Sequence, residues 1–175
     1  MSWPELIKRE IQFTYKSAEG LMGLVDEDNI DWKPSDSNNW MTTGQVLRHL
    51  TIACGTGFKG FVTGEWGMPD GMDVSEMSME DMLPPAEKMP SIESAAEAIK
   101  LLKEDMKLAL DILGQCSVED LNNKPAPAPW DPSPMILGHR LLSMVDHLKS
   151  HKAQLYYYLK LLGKPVNTGT LWGMG

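Results

Sequence analysis

Cysteine is scarce in this chain. Cys54 and Cys116 are the only two in 175 residues, and their positions make neither a disulfide framework nor a Cys-x-x-Cys site, which suits a reducing compartment. Cations are in deficit as well, with 16 Lys and Arg against 24 Asp and Glu for a formal net charge of −8. No basic stripe relieves that deficit, so the phosphates of a nucleic acid would be repelled and DNA is not an expected partner. No uncharged apolar run approaches the ~20 residues that span a bilayer, and Met1-Ser2-Trp3-Pro4-Glu5 has neither a basic n-region nor an apolar h-region. The expectation is a cytoplasmic protein without a membrane partner. No segment has a clear strand pattern, and no repeat of 20 to 50 residues is visible.

What is present is helical periodicity. Ser2 and Glu5 form a capping box, followed by Ile7, Ile11, Thr14, Ala18, Leu21 and Val25 at alternating four and three spacing, which predicts a first helix over 3–25. The polar stretch 26–41 reads as a structured loop whose Trp32 and Trp40 pack onto the bundle. Thr42 and Gln45 form a second capping box, with Met41 and Val46 placed as a hydrophobic staple, and predict a second helix over 43–62. Ile92, Ala95, Ile99, Leu102, Met106, Ala109 and Leu113, stopped by Gly114, predict a third over 92–113. Pro125, Pro127 and Pro129 make 122–130 an extended connection. Ser133 as N-cap, Pro134 at the first helical position and the terminator Gly163-Lys164-Pro165 predict a last helix of about 29 residues. The tail from Val166 has no periodicity, although Leu171 and Trp172 can dock. These stripes define an all-α, single-domain four-helix bundle over 1–175, with long crossover connections.

The chemistry lies in the histidines. His147 and His151 are four residues apart, which puts both imidazoles on one helical face about one turn apart. His49 shares its face with Val46, Leu50 and Ala53 and therefore points inward. Three neutral imidazoles converging in a bundle satisfy one another by sharing a divalent cation; the plain alternative is a set of hydrogen-bonded core histidines. Cys54, five residues past His49, falls about 140° round the helix, so no fourth protein ligand is evident and the metal keeps open positions, as catalytic rather than structural zinc does. His139 lies about 80° round the last helix from His147 and reads as an unrelated surface or packing residue. A ferritin-like di-iron site needs Glu-x-x-His motifs, and neither His147 nor His151 has a glutamate three residues before it.

Residues 64–90 interleave Glu65, Asp70, Asp73, Glu76, Glu80, Asp81 and Glu87 with Met68, Met72, Met77, Met79, Met82 and Met89, with no Lys or Arg before Lys88. The stretch reads first as a long surface crossover with incidental acidity. The functional alternative is a lid whose methionines adapt to an apolar ligand.

Three segments carry a resemblance: Trp32-Lys33-Pro34; Thr43-Gly44-Gln45-Val46-Leu47-Arg48-His49-Leu50; and Asp146-His147-Leu148-Lys149-Ser150-His151-Lys152-Ala153-Gln154-Leu155 running on to Leu161-Leu162-Gly163-Lys164-Pro165. The chain resembles, over nearly its whole length, the DinB-like superfamily of bacterial metal-binding four-helix bundles, which includes bacillithiol- and mycothiol-dependent transferases. The resemblance implies that His49, His147 and His151 are the metal ligands and that the metal is nickel or zinc. Gln154 matches a glutamine often found in the family. It lies about 20° from His147 on the helix, so contact with that ligand and simple packing are its two readings. Many members carry Arg-Gly where this chain has Lys152-Ala153, which leaves the ligands untouched but weakens any transfer of a particular substrate.

Two function classes follow. In one, the chain is an enzyme whose metal activates a thiol or water, with thiol-S-transfer the leading reaction and hydrolysis its rival. In the other, the metal only stabilises a non-catalytic binding protein. No catalytic residue is named by the sequence, since acids near the ligands, such as Asp146, stand about 100° off the ligand face. The expected partners are a small-molecule substrate, such as a low-molecular-weight thiol, and a second copy of the chain in a homodimer.

Overall fold

A computed structural model describes residues 2–67 and 77–174. The first helix, α1 (Trp3–Met22), starts where the Glu5 carboxylate accepts from the Ser2 amide at 2.7 Å. It buries Ile7, Ile11, Tyr15, Ala18 and Leu21. It stops three residues short of the predicted end, because the chain turns at Gly23, but Val25 stays in the core. In the following loop Trp32 packs edge-on against Tyr158, ring centroids 5.4 Å apart, whereas Trp40, expected to pack, is 42% exposed.

The predicted second helix is two helices, α2 (Thr43–Leu50) and α3 (Gly55–Thr63). The capping box at Thr42 and Gln45 starts α2 as expected. At its far end the Thr51 and Ile52 amides bond back only three residues, to the Arg48 and His49 carbonyls, which tightens and ends the helix. The start of α3 is capped by a side chain from another helix: buried Asp105 accepts from the amides of Gly55 (2.9 Å) and Thr56 (3.1 Å). Gly55 is required there, because a Cβ would lie 2.4 Å from the Asp105 carbonyl oxygen. The Tyr15 hydroxyl donates to the same carboxylate at 2.5 Å, so α1, α3 and the helix that carries Asp105 meet at one buried polar point. Burial pushes both the Asp105 carboxyl and the Tyr15 phenol up from their ordinary values.

A single turn, α4 (Met79–Met82), precedes α5 (Ala95–Leu113), which is capped by Ser94 and shorter than its apolar stripe, with Ile92 buried ahead of it. A helix that periodicity did not reveal, α6 (Val118–Asn123), follows a Ser117–Asp120 capping box. The last long helix, α7 (Leu137–Leu161), starts later than the predicted Ser133–Pro134 cap. Those residues run extended against the proline stretch: Ala126 donates to the Met135 carbonyl and Leu137 to that of Lys124. Buried Arg140 fixes the arrangement with bonds to the Ala126 carbonyl and the Asp131 carboxylate, both 2.8 Å. Gly163, at φ +74, takes the left-handed conformation that ends the helix. Finally α8 (Thr168–Leu171) docks through its Leu171 carbonyl onto buried Lys152, 2.7 Å away.

Packing of α1, the α2/α3 pair, α5 and α7 around one apolar core gives the all-α four-helix bundle with long crossovers that the stripes implied. Only isolated β-bridges occur among the described residues, and no helix among them is long and apolar enough to cross a membrane.

Candidate metal centre

His49, on the last turn of α2, faces His147 and His151 on adjacent turns of α7. One nitrogen from each ring falls within 4.8 Å of the others, and the ring centroids are 4.1 to 5.0 Å apart. His139 is exposed on the surface of α7 and takes no part. Cys54 is buried beside Tyr15 and Asp105, away from the cluster. Its angular position was predicted from an unbroken helix, and the break after Leu50 removes the basis for that phase. Cys116 is half-buried beyond the end of α5.

The hydrogen bonds fix two of the three tautomers. His147 Nδ1 lies 3.0 Å from the Ala53 carbonyl. A carbonyl only accepts, so Nδ1 carries the proton and Nε2 the lone pair. That carbonyl is free because α2 has ended and α3 has not begun. For His151 the chain of bonds is longer. The Tyr158 hydroxyl donates to the Met41 carbonyl at 2.9 Å and accepts from Gln154 Nε2 at 3.3 Å. This turns Gln154 Oε1 towards His151 Nδ1, 2.9 Å away, and again leaves a lone pair on Nε2. Gln154 thus contacts a site histidine, but the histidine is His151 rather than the His147 that helical phase points to. His49 differs, because its buried Nδ1 finds no hydrogen-bond partner among the described residues.

The electrostatics favour neutral rings. Burial, reinforced by the neighbouring His151 and His147, pushes His49 down to about 3. Burial also lowers His147 against the pull of the Ala53 carbonyl, and lowers His151 against that of Gln154. All three therefore offer lone pairs at neutral pH. The Nε2 atoms of His49 and His147 stand 3.1 Å apart, near the ~3.3 Å edge of a tetrahedron with ~2.0–2.1 Å metal–nitrogen bonds. The cluster can hold a metal ion, and among the described residues no further His, Cys, Asp or Glu joins it.

The imidazoles line a cleft of about 750 Å³. The same lining holds an aromatic corner in which Trp66 packs on Phe61 (4.9 Å) and on Trp130 (5.4 Å). The crossover supplies a wall: Met77, Met82 and Met89 line the cleft, and Gln45 Nε2 ties the segment to α2 through the Ala86 and Met89 carbonyls, 2.8 Å each. Met68, Met72, Asp70, Asp73 and Glu76 lie outside the described residues. Sequence reasoning missed the roles of Ala53, Trp66, Trp130 and Met144. A signal existed in the glycines of α3, since interior helix glycine costs ~1 kcal/mol relative to Ala and needs a packing reason. A Cβ at Gly57 would sit 2.6 Å from Met144 Sδ, and one at Gly60 2.2 Å from the Trp66 ring.

Comparison with known proteins agrees with this architecture. No curated protein and no solved structure matches the chain. A family model for the DinB superfamily matches residues 10–155, which takes in His49, His147, His151 and Gln154, and the chain belongs to that superfamily.

Proposed function

We propose that this protein is a metal-dependent enzyme in which His49, His147 and His151 hold one divalent cation, nickel or zinc, and that thiol-S-transfer is its reaction. The observation that carries the reading is the position of the cluster: three neutral imidazoles, with no fourth His, Cys, Asp or Glu in reach among the described residues, in the lining of an open cleft. A structural site would be closed by a fourth ligand. A cation held there lowers the pKa of a coordinated thiol or water and makes its anion available at neutral pH.

The chain's own residues do the rest. The Ala53 carbonyl and Gln154 hold the His147 and His151 rings with Nε2 towards the cleft. The aromatic corner and the methionine wall exclude water and seat the second reactant beside the histidines. Neither cysteine is required, since Cys54 is buried elsewhere and its thiol is pushed well above its ordinary value. Hydrolysis is the second reading, supported by Asp81, the one carboxylate lining the cleft among the described residues.

The test is optical. Cobalt-substituted protein is titrated with bacillithiol, mycothiol, glutathione and coenzyme A, and each mixture is then assayed for conjugation to a small electrophile. A thiolate-to-metal charge-transfer band with at least one thiol, followed by conjugate formation, is the expected result. Cobalt uptake with neither signal would move the assignment to hydrolysis or to a metal-stabilised binding role.

A further inference from the structure

The cleft has a composition that restricts what fills it. Its aromatic and thioether walls, Trp66, Trp130, Met77, Met82, Met89 and Met144, leave Thr56, Asp81 and the three imidazoles as the polar side chains of the lining. No Lys or Arg lines it among the described residues. The nearby cations are already committed. Lys59 pairs with Glu65 at 2.7 Å, and Arg140 lies over the Phe61 ring with its nitrogens bonded to Ala126, Asp131 and Ser133. Across 64–87 the sequence contains no Lys or Arg and seven acids, of which Asp81 lines the cleft among the described residues.

We infer that the cleft binds an uncharged aromatic co-substrate against Trp66, Trp130 and the methionines and disfavours anions there, so that a thiol bound at the histidines keeps its carboxylates out of that aromatic corner. Burying an anion between methionines and indoles with no partner cation forfeits its hydration, and the Asp81 carboxylate in the lining adds repulsion. A flat neutral ring instead gains offset or edge contacts with Trp66 and Trp130, while unbranched methionine side chains adapt to its outline. The volume is that of a site for a drug-sized ligand. Calling the ligand a co-substrate rests on the proposed enzyme reading; the preference for a neutral aromatic does not depend on a metal.

The test uses two dyes that differ by one sulfonate, neutral N-phenyl-1-naphthylamine and anionic 8-anilino-1-naphthalenesulfonate. Both are titrated into the protein as purified and again after dialysis against a chelator, with energy transfer from tryptophan as the readout. After chelation the neutral dye is expected to bind about tenfold or more tightly than the sulfonate, because the sulfonate then finds no cation in the lining; in the protein as purified the proposed metal should narrow that lead. Ile52→Lys, at an exposed position on the cleft rim, should shift the preference towards the sulfonate, and Trp66→Ala should weaken the neutral dye. Equal or tighter binding of the sulfonate to the chelated, unmodified protein would overturn the inference, as would neutral-dye binding untouched by both substitutions, which would place the dye elsewhere. A protein that takes up no metal yet keeps the neutral-dye preference would overturn the enzyme reading and leave the cleft assignment standing.

Discussion

The backbone carbonyl of Ala53 accepts a hydrogen bond from His147 Nδ1 at 3.0 Å, and the interruption of the helix carrying His49 leaves that oxygen without a helical amide. Within an unbroken helix that oxygen would be paired four residues on. The interruption is held by Asp105, whose carboxylate caps α3 from across the bundle. Asp105→Ala strands the Gly55 and Thr56 amides and the Tyr15 hydroxyl, so it should cost about 3 kcal/mol, given ~1–3 kcal/mol for each buried group left unpaired. Urea denaturation measures this. Metal affinity should fall with it, as the Ala53 carbonyl loses its fixed position.

Gln154 separates positioning from folding. Gln154→Leu removes the acceptor for His151 Nδ1 while filling similar space, and loss of such a partner typically lowers metal affinity about 10- to 100-fold. Competition with a chromophoric chelator reads the change, and Gln154→Glu, which keeps an acceptor, should retain most of the affinity. Equal affinities for wild type and Gln154→Leu would show that the contact is packing alone.

At alkaline pH the Tyr15–Asp105 pair sets a direction. The folded-state pKa of Tyr15 is raised, by burial first and then by Cys54 and Asp105. The unfolded chain therefore releases the phenolic proton at ~10 while the folded one retains it. The folded state holds more protons above that pH, so its contribution is complete below ~10 and is lost as pH rises further. Denaturant midpoints from pH 8 to 11 should fall more steeply above 10 in wild type than in Tyr15→Phe.

Lys152 is buried without a carboxylate partner among the described residues, and its amine donates to the Leu171 carbonyl and to Ser17 Oγ. Lys152→Ala removes the bond at the end of α8, worth about 1.5–3 kcal/mol for a charged donor. Hydrogen exchange over 168–174 should accelerate at least tenfold, with metal stoichiometry unchanged.

The histidine cluster was legible because helical phase is local: a four-residue spacing puts His147 and His151 on one face wherever the helix goes, and the apolar neighbours of His49 turn it inward. The break at 51–54 was not legible, because the residue that caps α3 lies 50 positions away on another helix. The start of α7 misled for the same reason. Ser133-Pro134 is a good local N-terminus, but the bridge between Pro125 and Ile136 and the buried Arg140 keep those residues extended. Trp66, Trp130 and Met144 come from three separate segments, and only the fold shows that they share a cleft.

The most direct measurement is metal content of untagged protein by elemental analysis, on wild type and on His49→Ala, His147→Ala, His151→Ala and His139→Ala. The account predicts about one nickel or zinc per chain in wild type and His139→Ala, and greatly reduced content in the other three. Chelation should lower the melting temperature only where metal was present. A wild-type protein free of metal and unable to take up nickel or zinc, or equal losses in all four variants, would contradict it.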